Sequence, residues 1–419
     1  MDRLVLEQVL EEQRETIQRP RRGVVPRREA GQIRLDSELA QVVIGVRRSG
    51  KSTLCQSVLQ GSGRPFGYVN FDDERLATLR GEDLNAVLGA LYKLNGPIDT
   101  LFLDEIQNIP EWNLFVNRLL RQGMHVVVTG SNAKLLSGEL ATHMTGRYHE
   151  IALFPFSFAE CCAFRGVDMA SGTTQAVALR QRALDAYLTQ GGFPELVREP
   201  QEAATYLRTL VPNVLERDIR QRFHLRTGTL LRGLADYLLG VAPTILNYKA
   251  LGERLETGLS LHTLKRYVDY LKQAYLLIGV PRWSNKLYLR LRNEKVYPVD
   301  VGLMGTQGGN WGWRLETVVL LELLRRHRPF GRDVLYFREN RSEADFVVCQ
   351  GRDAVEIVQV AYALGEPRLR ARELNGAVAA AKALRRAEAT LVTYADSGEA
   401  CIDGVTVRIR PAHEWLCAP

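Results

Sequence analysis

The sequence predicts an α/β protein of several domains, with a parallel sheet early in the chain and a second α/β domain late in it. Three observations carry this. Continuous apolar runs of strand length alternate with helix-patterned segments between residues 42 and 129, the pattern of a sheet buried on both faces. One of these runs leads directly into a loop of the form Gly-x-x-x-x-Gly-Lys-Ser. The chain also has 419 residues, more than the roughly 250 to 300 that one hydrophobic core serves.

Residues 1–35 read as a polar lead-in rich in arginine (Arg19, Arg21, Arg22, Arg27, Arg28). Strands are expected at Val42–Val46, Gly67–Phe71, Thr100–Leu103 and His125–Thr129, each a short, mostly apolar run. Helices fit between them at Lys51–Gln60, Glu82–Leu94 and Glu111–Arg121, so residues 36–165 form one sheet-based core. Helical periodicity dominates Thr174–Arg208, with Leu179, Ala183, Leu184, Tyr187 and Leu188 on one face; residues 166–216 are therefore expected to be a helical lid or linker. Residues 217–295 combine short helices with β-prone sequence. Within 296–419 a helix is expected at Leu315–Arg326, strands at Val334–Phe337, Ala344–Cys349 and Ala354–Tyr362, and a helix at Arg372–Arg386.

Hydrophobic residues make up 46% and charged residues 25%, the balance of a folded chain. No run approaches the roughly 20 apolar residues of a membrane-crossing helix. Met1–Arg22 alternates charges without an apolar signal core, so the cytoplasm is the expected location. The six cysteines (Cys55, Cys161, Cys162, Cys349, Cys401, Cys417) show no Cys-x-x-Cys pair and no histidine at zinc spacing, and read as reduced thiols. The net charge of +7 is localised: Arg217–Lys295 holds 15 basic against 6 acidic residues, leaving the rest slightly acidic. Such a segment suits an acidic partner such as nucleic acid, or is a solvated helical face.

Gly45-Val46-Arg47-Arg48-Ser49-Gly50-Lys51-Ser52, followed by Thr53, comes straight after the first apolar strand. Its glycines let the backbone fold around phosphate oxygens, and the N–H groups opening the next helix make an anion cradle. Lys51 is placed to reach the β and γ phosphates of ATP, and the Ser52 hydroxyl to hold Mg²⁺. Leu101-Phe102-Leu103-Asp104-Glu105 ends a strand in two acids; Asp104 can support the metal and Glu105 can polarise the attacking water. The next strand ends in Thr129-Gly130-Ser131-Asn132. Here the chain resembles the AAA-type P-loop ATPases, and the resemblance implies a γ-phosphate sensor at Ser131 or Asn132; Asn132 could equally cap a following helix. Thr145-Gly146-Arg147-Tyr148 and Phe154-Pro155-Phe156-Ser157-Phe158 resemble the prokaryotic branch of that family that carries a C-terminal domain of unknown function. That likeness implies that Arg147 completes the site of a neighbouring copy, in a homo-oligomer for which a six-membered ring is one form; the alternative is a surface arginine. Gly191-Gly192-Phe193-Pro194 also resembles the family pattern, or is simply a turn.

In the basic segment, Asn247–Glu256 reads as a helix and Ser260 as the N-cap of another running to about Ala274. Leu264, Val268 and Leu271 form its buried stripe, while His262, Lys265, Arg266 and Lys272 lie elsewhere on it. With the β-prone Tyr275–Val280 after it, this looks like a winged helix-turn-helix, so those four residues are candidate DNA contacts. Winged helices also serve as protein-binding modules. Further on, Glu316, Asp345 and the strand Val355–Ala361 resemble the PD-(D/E)xK nuclease fold. That pattern breaks where Gln359 holds the second acidic position and Ala361 the lysine position; taken instead from Glu356, the lysine position holds Val358, and Lys382, the only lysine after Lys295, falls on a later helix, which implies a degenerate, non-cutting site. The combined expectation is an ATP- and Mg²⁺-dependent protein that works on DNA. An ATP-dependent regulatory switch with protein partners, and an ATP-gated nuclease, are the alternatives.

Overall fold

The computed structural model describes the whole chain except residues 1, 21–22, 132–143, 145, 226–227, 256–259, 285, 287–288, 291–293, 306–309, 328–332, 340–341 and 419. It divides into two compact units, Met1–Leu153 and Phe154–Pro419. Among the described residues no helix is long and apolar enough to cross a membrane.

The first unit opens with helix α1 (Arg3–Gln18), where a polar lead-in was expected. Leu6, Val9, Leu10, Gln13 and Ile17 recur at helical spacing and form its buried stripe. The Gln13 carboxamide accepts from the Asn70 amide at 2.9 Å and donates to the Asn70 carbonyl at 3.1 Å, satisfying the sheet edge as a further strand would. Next come β1 (Ala40–Ile44), α2 (Lys51–Ser62), β2 (Phe66–Asn70), α3 (Leu84–Asn95), β3 (Thr100–Asp104), α4 (Trp112–Arg121), β4 (His125–Gly130) and β5 (Tyr148–Ala152). All five strands are parallel in the order β2-β3-β4-β1-β5. β1 ends two residues earlier than its apolar run implied, because Gly45 (φ 150°) turns the chain into the loop. A Cβ there would stand 2.0 Å from the Leu153 carbonyl oxygen, so only glycine fits. The strand order puts β4 between the strand that feeds the loop and the strand that ends in Asp104, which brings all three C-terminal ends together.

The second unit begins with α5 (Phe158–Arg165), started by a Ser157/Glu160 capping box, and continues with α6 (Thr174–Gln190), α7 (Pro194–Arg198), α8 (Ala203–Val214), a π-helical stretch Leu215–Gln221 and α9 (Thr229–Val241). On α6, Ala183, Leu184, Tyr187 and Leu188 are buried as expected, but Leu179 is 48% exposed and does not belong to that face. The glycines after α6 are structural. Gly192 donates to Asp300 Oδ2 and Gly302 to Asp300 Oδ1, both at 2.8 Å. A Cβ on Gly191 would meet that carboxylate at 1.7 Å, and one on Gly192 the Phe156 carbonyl at 2.1 Å. Burial raises the Asp300 carboxyl to about 6 against these two hydrogen bonds.

β6 (Thr244–Ile245), α10 (Tyr248–Leu255), α11 (Leu261–Gln273), β7 (Leu277–Val280) and β8 (Lys295–Pro298) follow, with an antiparallel sheet in the order β6-β8-β7. Ser260 caps α11 by accepting from Thr263, and Leu264, Val268 and Leu271 are fully buried. The expected division at residue 295 falls on the first residue of β8. Last come α12 (Trp311–Arg326), β9 (Val334–Glu339), β10 (Ser342–Gln350), β11 (Asp353–Ala361), α13 (Pro367–Ala383), β12 (Glu388–Thr393), β13 (Gly398–Ile402), β14 (Val405–Pro411) and a short α14 (Ala412–Trp415). Their mixed sheet runs β13-β14-β12-β11-β10-β9, and α13 packs on its centre through Leu374, Ala377, Val378 and Ala381.

Candidate functional site

The loop Gly45–Gly50 leaves β1 and enters α2 at Lys51. Arg48 (φ 72°) and Gly50 (φ 95°) adopt left-handed backbone, bending the loop around a concavity, and the N-terminal N–H groups of α2 face it. Lys51 is 4% exposed, and its ammonium donates to the Gly45 and Val46 carbonyls at 3.1 Å each. A contact outside the motif holds the loop from behind: Arg27 donates to the Ser49 carbonyl at 3.2 Å and pairs with Glu29 at 3.7 Å, all three buried.

The Ser52 hydroxyl donates to Asp104 Oδ1 at 3.0 Å. Thr129, near the end of β4, donates to the same carboxylate oxygen, and its own oxygen accepts from the Glu105 amide at 3.0 Å. Burial and then the neighbouring Glu105 charge raise the Asp104 pKa, against the hydrogen bonds from Thr129 and Ser52. Glu105 takes left-handed backbone (φ 51°), which turns its side chain back over the strand ends. Burial pushes its carboxyl up, but the Lys51 charge, the Gln107 hydrogen bond, the Arg47 charge and the Ser131 hydroxyl outweigh this, and it ends below the ordinary value. The charged form of Glu105 is thus the one its surroundings favour.

Of the two sensor candidates, Ser131 is 2% exposed and donates to Glu105 Oε2 from its hydroxyl at 3.1 Å and its amide at 3.3 Å. Asn132 lies outside the described residues. Arg147 is exposed and immediately precedes β5; its carbonyl accepts from the Ala40 amide at 3.1 Å. Because β1 and β5 are parallel, this places Arg147 at the end of the sheet opposite the loop. Sequence reasoning missed Gln107, which donates to Glu105 Oε2, and Arg27.

Three of the four basic candidates on α11, His262, Lys265 and Arg266, are exposed. Lys265 lies 5.6 Å from the centre of the Tyr248 ring on α10. Lys272 is different: it is half-buried and its ammonium pairs with Glu294 at 2.8 Å and Asp269 at 3.4 Å, so its charge is spent within the protein.

In the C-terminal sheet the structure brings Glu316, Asp345 and Gln359 into one cleft of about 880 Å³. The Gln359 side-chain oxygen accepts from the Asp345 amide at 3.2 Å, and its nitrogen donates to Glu373 at 2.6 Å. The expectation that this site lacks a lysine is corrected. Ala361 is indeed no substitute, and Lys382 on α13 pairs with Asp403, but Lys295 enters the cleft from β8. Its signal in the sequence was a lysine opening the otherwise apolar Lys295-Val-Tyr-Pro run, which is now seen as a buried strand.

A five-stranded parallel sheet ordered β2-β3-β4-β1-β5, carrying a phosphate loop, an acidic pair and a polar strand end between them, defines an AAA-type P-loop ATPase domain. Comparison with known proteins agrees: residues 37–162 match the AAA domain family, and residues 181–310 match a domain of unknown function. The chain belongs to the same family as an uncharacterized protein of Haemophilus influenzae, with which it is 32% identical over 352 residues, 79% of this chain and 84% of the relative. An uncharacterized protein of Methanocaldococcus jannaschii is 29% identical over 379 residues, 88% of this chain and 85% of that one. Among solved structures, a Walker-type ATPase of Pyrococcus abyssi aligns with a TM-score of 0.40 and 15% identity, covering 72% of this chain and 94% of that one.

Proposed function

We propose that the protein is an ATPase that couples hydrolysis of ATP, with Mg²⁺, to work on DNA, and that it acts as an assembly of identical copies in the cytoplasm. The observation that carries this is the convergence of Lys51, Ser52, Asp104, Glu105 and Ser131 at one end of one sheet. In this reading the loop amides and Lys51 bind and orient the phosphates, and Ser131 holds the Glu105 carboxylate in place. Glu105 positions water and takes up its proton as the γ-phosphoryl group leaves. Ser52 and Asp104, with oxygens 3.0 Å apart, suit a hard cation and are the residues that would hold Mg²⁺. When bound, the metal supplies charge neutralisation across the phosphate oxygens. Arg147, remote from its own loop, acts on the nucleotide of a neighbouring copy.

For DNA we favour α10, α11 and the β7–β8 pair as a winged helix-turn-helix. His262, Lys265 and Arg266 then meet the duplex; the excess of basic residues over Arg217–Lys295 supports this reading. The nuclease-like C-terminal domain then serves binding or assembly rather than cleavage. The test is steady-state ATP turnover by the purified chain with and without single- and double-stranded DNA. Turnover that needs Lys51 and rises with DNA is expected. Turnover that is equal in Lys51→Ala refutes the nucleotide site, and turnover that ignores DNA the chain does not bind moves the reading to an ATP-dependent switch with protein partners.

A further inference from the structure

A nuclease-like cleft implies a divalent ion held by carboxylates, and the residues of this cleft do not fit one. Lys295 Nζ lies 2.8 Å from Glu316 Oε1, 3.2 Å from Glu343 Oε1 and 3.5 Å from Asp345 Oδ1. The ammonium therefore stands where three carboxylates converge, the position a dication requires. The oxygens around it are further engaged. The Tyr297 hydroxyl donates to the same Glu316 oxygen at 2.6 Å, and the Val360 amide donates to Asp345 Oδ2 at 2.9 Å. Glu373, the remaining acid of the cleft, is held by Gln359 at 2.6 Å and by Arg372 at 2.5 Å. Among the described residues, no group of three or more acids, histidines or cysteines is gathered so as to hold a metal ion.

We infer that Lys295 is the resident cation of this cleft, and that the cleft takes its ligand without a divalent metal. Lys295 sits on a buried strand and is only 7% exposed, so the ammonium cannot be surrendered to solvent without rebuilding the contacts of β8. Placing a dication on the same carboxylates sets it against a fixed like charge in a poorly hydrated site. Burial alone lowers the Lys295 pKa, but Glu316, Asp345 and Glu343 together raise it well above the ordinary value, so the ammonium persists throughout the physiological range. The floor of the cleft thus offers hydrogen bonds and not Lewis acidity. Its mouth offers the Trp313 and Tyr362 side chains and the 75%-exposed Arg372. The cleft is built by β8, α12 and the C-terminal sheet, and its ion pairs depend neither on the nucleotide site nor on DNA contact through α11.

The test is Mn²⁺ binding, followed by electron paramagnetic resonance, to the full nucleotide-free chain. Mn²⁺ suits carboxylate and water ligands and reports any metal site directly. The wild type, Glu316→Gln and Glu343→Gln are expected to bind equal amounts, because neither glutamate is a metal ligand. Lys295→Met, which keeps most of the side-chain length and removes the charge, is expected to gain one Mn²⁺ per chain, and adding Asp345→Asn to it should abolish the gain. A wild type that binds one more Mn²⁺ than both glutamine variants overturns the inference, as does a folded Lys295→Met that gains none. Should Lys295→Met not fold, the comparison of the wild type with the two glutamine variants decides alone.

Discussion

Replacing Arg147 separates a shared catalytic site from a self-contained one. Arg147 precedes Tyr148, which pairs with Ala40 at the start of β1, whereas the phosphate loop begins after Ile44. Four residue steps along a strand amount to about 13 Å, beyond the reach of an arginine side chain from that position. Arg147 therefore cannot touch its own γ-phosphate, and if it contributes at all it does so to another copy. An arginine supplied in this way is worth roughly 10³ to 10⁵ in rate, or about 4 to 7 kcal/mol of barrier. Arg147→Ala should bind ATP normally and turn it over at least about a thousandfold more slowly. Mixing supplies the decisive number. In head-to-tail assemblies formed at random from equal parts Arg147→Ala and Glu105→Gln, about one interface in four pairs an intact Glu105 with an intact Arg147. Phosphate release after subunit exchange should therefore recover to about a quarter of the wild-type rate, although each variant alone is nearly inactive. Wild-type turnover by Arg147→Ala, or a mixture no faster than the mean of its parts, refutes the reasoning.

Lys51→Ala should lose nucleotide binding in a fluorescent-nucleotide titration, whereas Glu105→Gln should keep it and slow hydrolysis by about 10² to 10⁴, because the role proposed for Glu105 is on the attacking water and that for Lys51 on the phosphates; equal binding by the two variants contradicts this division of labour. Replacing Lys265 and Arg266 together by alanine should lower the slope of log affinity for DNA against log salt by about 1.8, two phosphate contacts at roughly 0.9 each, as read by fluorescence anisotropy. Asp300→Asn places an N–H₂ against one of two backbone N–H donors and should destabilise the protein by about 1 to 3 kcal/mol in urea unfolding. Its pH dependence has a definite sign. The folded pKa of Asp300, about 6, lies above the ordinary 3.8, so its stabilising term is fully present below 3.8 and is lost as pH rises through about 6. The stability advantage of the wild type over Asp300→Asn should therefore widen between pH 7 and pH 5, by about 1.3 kcal/mol; a constant difference counts against the assignment.

What the sequence determined by itself was everything written within a few adjacent residues. The phosphate loop needs Gly45, Gly50, Lys51 and Ser52 at fixed spacing after a strand, so chain order already implies the geometry. Asp104 and Glu105 end an apolar run, and Leu264, Val268 and Leu271 recur at helical period, so strand and helix could be placed without knowing what they pack against. The stripe of α1 was legible by the same rule but was masked by the many charges around it, and Leu179 was assigned to a face it does not share.

Tertiary structure alone decided which distant residues meet. Lys295 joins Asp345 across 50 positions, Asp300 joins Gly192 across 108, and Gln13 completes the edge of β2 across 57. Neither the helical nor the strand period carries information about such pairs, because period fixes only which face a side chain occupies and not which element will lie opposite. That partner is set by the order in which strands join the sheet and by the burial of whole faces. The lysine of the C-terminal cleft was for this reason sought at Ala361, on the strand where the motif expects it. The chain delivers it from β8 instead, where the Lys295 ammonium, 2.8 Å from Glu316 and 3.5 Å from Asp345, offsets the cost of burying acids that desolvation pushes toward the protonated form.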